Sequence, residues 1–274
     1  MLDKAKATAC DAVVLDLEDG VAPSAKGDAR AAVASLLAAE ETEFAADAVF
    51  VRINAWTTDE GKADLDALGS IPDSAPLTGL VLPKVEGSGD VVGPHAALGR
   101  KGMETYASIE SAAGLLRAAD IVDSALPVLE REDGLLAGLF FAAEDYMADI
   151  GGVRTSGGDE LLYARSHILT VAKAFNLEAI DMVCVDFRDP DVLQAECASG
   201  VALGYTGKYA IHPAQVPIIQ SAFSPSPSQI DLATRIMEAQ AKAHAEGVGA
   251  FEVDNKVVDL PVIKWAQNIL HRAQ

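Results

Sequence analysis

Long hydrophobic runs are missing from this chain. Its apolar stretches are short and broken by charge or glycine, well below the ~20 residues that cross a bilayer as a helix, so no membrane span is expected. Histidine offers little to a transition metal: there are five, none paired with another at helical spacing, which argues against a zinc site. Cysteine is scarcer still, with Cys10, Cys184 and Cys197 unevenly spaced and no CxxC pair. An odd count without a framework points to a reducing compartment, each thiol serving as a small buried apolar residue. Basic charge is short as well: 21 Lys and Arg stand against 41 Asp and Glu, a formal net charge of -20. Such a surface repels nucleic acid and anionic membranes, which discounts both as partners. The N-terminus carries neither a secretory pattern nor an Arg-rich presequence. Its first residues, MLDKAKATACDAVVLDLEDG, are a short polar stretch leading straight into a strand.

What is present is an alternation. Runs rich in Val, Leu and Ile fall at 11–17, 48–53, 79–82, 103–109, 136–142, 179–185 and 208–211. Ala-rich amphipathic segments lie between them near 25–39, 60–68, 111–119, 160–175 and 190–203. Continuous apolar strands separated by helices describe a parallel sheet covered on its outer side. Seven runs are one short of the eight that close a (β/α)8 barrel. An open doubly wound sheet is the alternative, but no GxGxxG turn follows the first strand. From Pro213 the alternation gives way to helical segments at 213–222, 229–246 and 262–273, with a loop or hairpin at 247–255. The expected organisation is therefore an α/β barrel domain over 1–212 and a helical C-terminal extension over 213–274.

In a parallel barrel the chemistry gathers at the C-terminal ends of strands. The first run ends in Asp16-Leu17-Glu18-Asp19-Gly20, the second in Arg52, the third in Pro83-Lys84-Val85-Glu86, the fourth in Glu110 and the fifth in Glu144-Asp145. Converging carboxylates need neutralising, and oxygen ligands without histidine favour Mg²⁺. Taken singly, each acid could be a helix N-cap or a partner of a helix dipole; their joint occurrence at strand ends favours a site. Arg52, facing them, is placed to hold a carboxylate or an enolate oxygen through its forked donors. Lys84 could pair with Glu86 or Glu110, and His212 reads as a hydrogen-bonded structural residue.

These residues sit in segments that resemble the HpcH/HpaI aldolase/citrate lyase superfamily, in its citrate lyase β-subunit-like branch: VVLDLEDGVAPSAKGDAR, VFVRINAW, GLVLPKVE, SIESAAGLL, FFAAEDYMADIG, IDMVCVDFRD, GYTGKYAIHPAQV and AFSPSPSQI. The segment LYARSHILTVAKAFNLEAID is similar to the citramalyl-CoA lyase (citrate lyase beta-like) proteins of mitochondria. The resemblance implies a TIM-type barrel, Mg²⁺ held by Glu110 and Asp145, and Arg52 at the keto-acid end of the substrate. It places Glu18 and Asp19 near the metal and its waters. It also implies a homotrimer in which the C-terminal extension covers a neighbour's site and brings Asp259 of VVDLP as acid/base. Read alone, Asp259 would be a helix N-cap before Pro261.

The implied activity is Mg²⁺-dependent cleavage of a 3-hydroxyacyl-CoA thioester, such as citramalyl-CoA or malyl-CoA, to acetyl-CoA and a 2-keto acid. The alternatives are a class II aldolase acting on free hydroxy-keto acids, or a non-catalytic subunit or scaffold of the same fold. The implied location is the cytoplasm or the mitochondrial matrix. Three positions depart from the family pattern: Ser111 replaces a threonine, Ala142 replaces a glycine, and the first strand of the barrel is missing. The last departure leads to the expectation of either a piece of a longer protein or an open barrel.

Overall fold

The computed structural model describes residues 2–40, 42–245 and 251–273. The chain divides into two compact units, Met1–Ile219 and Gln220–Gln274. The first unit opens with α1 (Leu2–Ala7), β1 (Ala12–Asp16), α2 (Lys26–Ala38), β2 (Ala48–Arg52) and α3 (Asp59–Gly69). Next come β3 (Gly79–Leu82), α4 (Ser88–Leu98), β4 (Glu104–Ile109), α5 (Ala112–Arg131) and β5 (Leu135–Phe141). The last elements are α6 (Ala143–Ile150), α7 (Leu162–Ala174), β6 (Glu178–Asp181), α8 (Pro190–Leu203) and β7 (Gly207–Lys208). Helix α9 (Val216–Phe223) crosses the boundary between the units.

The seven strands form one parallel sheet in sequence order, β1 to β7. Their apolar residues are buried on both faces, as a parallel sheet flanked by helices requires: all of β3 is buried, as are Val49, Phe50 and Val51 of β2. Helix α5 shows the matching helical period, burying Leu115, Ala118, Val122, Ala125 and Leu129. The sheet is curled. Phe50 on β2 and Tyr106 on β4 flank β3, yet their rings meet edge to face at 5.2 Å. Tyr106 then meets Phe140 at 5.3 Å, and Phe140 meets Tyr209 at 5.3 Å, a file of rings within the curl. Two glycines make room for it. A Cβ on Gly79 would lie 2.7 Å from the Phe50 ring and 2.0 Å from the Glu104 carbonyl oxygen; one on Gly138 would lie 2.5 Å from the Tyr106 ring.

This is the (β/α) barrel-like architecture expected, and each of the seven strands overlaps its apolar run, the seventh at Lys208 alone. The sixth and seventh end early, at Asp181 and Lys208, because residues 182–185 and 209–211 leave the sheet. Between the strands, two helices were not foreseen. Helix α4 contains Gly89, Gly93 and Pro94, a composition poor in helix propensity. Its start is fixed instead by Asp90, whose carboxylate accepts the N–H groups of Glu86 and Gly87 at 3.0 Å each. Helix α6 has 8 residues, too short to declare a period. Helix α5 also runs well past the expected residue 119, to Arg131.

The second unit contains α10 (Pro227–Ala245), the hairpin of β8 (Phe251–Val253) and β9 (Lys256–Val258), and α11 (Leu260–Arg272). Ala233, Ile236, Val258, Ile263, Ala266 and Ile269 form its core. Among the described residues no helix is long and apolar enough to cross a membrane.

Candidate active site

The parallel register sets Asp16, the last residue of β1, opposite Arg52, the last of β2. Their side chains meet as a fork: Arg52 Nε donates to Asp16 Oδ1 and a terminal nitrogen donates to Oδ2, each at 2.7 Å. The same carboxylate accepts the N–H groups of Glu18 and Gly20 at 2.9 Å each, so Asp16 folds the turn 16–20 around itself. Burial pushes the Asp16 carboxyl up, but the Arg52 fork and the two backbone N–H groups outweigh it and hold it below its ordinary value. Burial likewise opposes the Arg52 charge, and pairing with Asp16 raises its pKa above the usual arginine range. The third nitrogen of Arg52 lies 3.3 Å from Glu18. Behind the turn, Lys26 at the start of α2 donates to the carbonyls of Leu17 and Glu18, at 2.8 Å each, and to Asn54.

Glu18 is almost fully buried, and its other carboxylate oxygen forms a short ion pair with Lys84. Lys84 follows β3 in a left-handed backbone conformation, with φ 54°, and its ammonium also lies 3.9 Å from Asp19. Asp19 is more than half exposed. Burial lowers the Lys84 pKa, but Glu18 and then Asp19 and Glu110 raise it above the ordinary value. An ammonium so paired is a poor Schiff-base nucleophile.

The end of β4 lies against the end of β5, with Ile109 opposite Phe141 and the Ala142 N–H donating to the Ile109 carbonyl at 3.2 Å. This contact brings Glu110, only 7% exposed, beside the first turn of α6 and its Asp145. Burial pushes the Glu110 carboxyl up, the negative charge of Asp145 adds to it, and the pKa reaches about 7 despite Ser108 and Lys84. Among the described residues no group of three or more His, Cys, Asp and Glu closes around a metal ion. The pair Glu110 and Asp145 nevertheless fits Mg²⁺, which takes one or two protein carboxylates and completes its shell with water and substrate oxygens.

Five of the six candidates thus belong to one end of the first unit: Arg52, Glu18 and Asp19 on one side, Glu110 and Asp145 on the other, with Lys84 interacting with both. Asp259 belongs to the second unit, where it caps α11 by accepting the Val262 N–H at 3.4 Å. His212 likewise caps a short helical turn, accepting from the Ala214 N–H at 3.1 Å, and stacks on Phe187. Ser111 caps α5 and donates to Glu86 at 2.6 Å. Sequence reasoning missed Asp16 as the partner of Arg52, and Tyr209, a half-buried residue whose hydroxyl is close enough to Arg52 for the two to interact electrostatically. The signal for Asp16 was its place as the last residue of a strand.

The pattern of HpcH/HpaI aldolase/citrate lyase matches residues 1–213. The chain belongs to that family. Residues 164–274 match a second family, the C-C bond lyase of the TIM-barrel fold. Among curated proteins, the mitochondrial citramalyl-CoA lyase of Rattus norvegicus is 35% identical over 271 residues, covering 95% of this chain and 78% of the rat protein. The (3S)-malyl-CoA thioesterase of Cereibacter sphaeroides is 35% identical over 277 residues, covering 100% and 90%. Among solved structures, the protein CitE of Mycobacterium tuberculosis in complex with magnesium, acetoacetate and coenzyme A superposes with a TM-score of 0.75. It is 32% identical, covering 97% of this chain and 90% of CitE.

Proposed function

We propose that this family member is a carbon–carbon lyase for a CoA ester, cleaving a 3-hydroxyacyl-CoA such as citramalyl-CoA or malyl-CoA to acetyl-CoA and a 2-keto acid. The observation that carries the reading is the buried Glu110 facing Asp145, with its carboxyl raised to about 7, in the same strand-end cluster as a forked arginine. Relatives described as acting on citramalyl-CoA and malyl-CoA support the choice of a CoA ester. A relative crystallised with magnesium and coenzyme A supports the cation.

Glu110 and Asp145 would hold Mg²⁺, which when bound supplies Lewis acidity at the hydroxy-carboxylate end of the substrate. Arg52 keeps N–H groups beyond those used by Asp16 and Glu18, and these stabilise negative charge as it develops on substrate oxygen. Asp16 keeps that guanidinium from turning away. A base takes the proton of the substrate hydroxyl, the hydroxyl carbon becomes the carbonyl of the keto acid, and the electron pair of the breaking carbon–carbon bond passes to the thioester fragment as its enolate. Asp259 returns a proton to the fragment's carbon, or removes one in the reverse direction. We assign Asp259 to the site of a neighbouring protomer, in a homotrimer whose barrel domain is 1–212 and whose extension is 213–274.

Pyruvate release from citramalyl-CoA, with Mg²⁺ and then with excess chelator, tests the reading. The expected result is chelator-sensitive turnover that is lost in Glu110→Ala and Asp145→Ala. Retained turnover in both variants would overturn the metal assignment. Cleavage of free hydroxy-keto acids but not CoA esters would point to the aldolase alternative, and silence on both substrates to a scaffold.

A further inference from the structure

Lys84 takes no part in the proposed reaction, yet its placement is costly. A left-handed backbone is disfavoured for a residue with a long side chain, and such conformations persist where the surroundings require them. Here the conformation carries the side chain from the end of β3 to Glu18 at the end of β1. Glu18 is buried and pinned from both sides, by Arg52 at 3.3 Å and by Lys84, and one of its oxygens also accepts the Asp19 N–H at 2.8 Å. Five carboxylates, Asp16, Glu18, Asp19, Glu110 and Asp145, are gathered around two cations, Arg52 and Lys84. Arg52 is largely engaged by Asp16, so Lys84 is the main compensation for Glu18 and Asp19.

We infer that Lys84 is a positioning residue that sets the charge balance of the site: it fixes Glu18 and weakens the hold on a divalent cation so that an anionic substrate can bind beside it. The inference rests on the proposed Mg²⁺-dependent reading. It makes an unusual demand, because losing Lys84 must move cation and anion affinity in opposite directions. With the ammonium gone, the surplus negative charge binds a divalent ion more tightly and repels a keto acid. A residue that merely supports the fold would weaken both.

The test is calorimetric titration of the whole chain with Mg²⁺ alone, and with pyruvate in the presence of saturating Mg²⁺. Lys84→Met removes the charge at similar length. Lys84→Asn removes it while tolerating the left-handed backbone, and Lys84→Arg keeps it. For a unit charge several ångströms from a divalent ion in a water-like dielectric, Met and Asn should tighten Mg²⁺ binding about fivefold. Both should weaken pyruvate binding by about twofold, since the keto acid carries one charge rather than two, whereas Arg should stay near wild type. Unchanged or weaker Mg²⁺ binding in Asn and Met variants with wild-type circular dichroism would overturn the inference alone. Wild-type protein that binds no Mg²⁺ would overturn the functional reading and the inference together.

Discussion

Burial of Glu110 costs the metal-free protein stability, and the pH dependence of unfolding should expose it. The carboxyl has a pKa of about 7 in the folded chain against 4.5 when unperturbed, raised first by burial and then by Asp145. Between those values the folded protein keeps a proton that the unfolded chain has released. Stability must therefore fall as pH rises through this window, with the loss complete above about 7. At ~1.4 kcal/mol per pH unit of displacement, the penalty at pH 8 is about 3 kcal/mol. Asp16 acts with the opposite sign, since its pKa is lowered: its contribution is lost only as pH falls through the folded pKa, below 3.8 and outside the window. Urea unfolding in chelator from pH 5 to pH 8, for wild type and Glu110→Gln, isolates the effect as a difference of differences. Glu110→Gln should gain about 2.5 kcal/mol on wild type between the two ends, since part of the loss has already occurred by pH 5 and an amide has no charge to bury. Adding Mg²⁺ at pH 8 should restore wild type, by ~2.7 kcal/mol at a concentration one hundred times its Kd, and leave the variant unmoved. A wild-type-minus-variant difference that stays flat across the range would refute the reasoning.

Arg52→Lys keeps the charge but loses the fork to Asp16, so turnover should fall by about a hundredfold or more with little loss of Mg²⁺ affinity, read by steady-state kinetics and calorimetry. Gly79→Ala puts a methyl group 2.0 Å from the Glu104 carbonyl oxygen and against the Phe50 ring; urea unfolding should show a loss of roughly 1–3 kcal/mol or more. Asp259→Asn retains a good helix cap, so the melting temperature should hold while turnover drops by about a hundredfold or more if the residue moves a proton. Equal activity in this variant would leave Asp259 as a cap alone.

The difference between what could and could not be read from the sequence is one of range. Each strand of the sheet is a local run of apolar residues, and each of Glu18, Asp19, Arg52, Glu110 and Asp145 lies at or just past the end of one, so a pattern of a few residues locates them all. Asp16 is different. Three carboxylates stand within four positions of β1's end, and only the register of β1 on β2 makes the first of them the partner of Arg52. Once that fork is formed, the N–H groups of Glu18 and Gly20 turn onto Asp16, and Glu18 is left for Lys84. Lys84 was harder still, because nearby carboxylates such as Glu86 offered equally plausible partners. Its actual partner lies 66 positions away and is reached through a positive φ that composition does not announce. Glu110 carries the same lesson in energetic form: its place in the sequence marks it as an acid before a helix, but only the packing of β4 beside β5 supplies the burial and the second carboxylate that raise it to about 7. The residue types that the proposed chemistry uses are therefore written locally, while the charge states and pairings that would make them act are properties of the curled sheet.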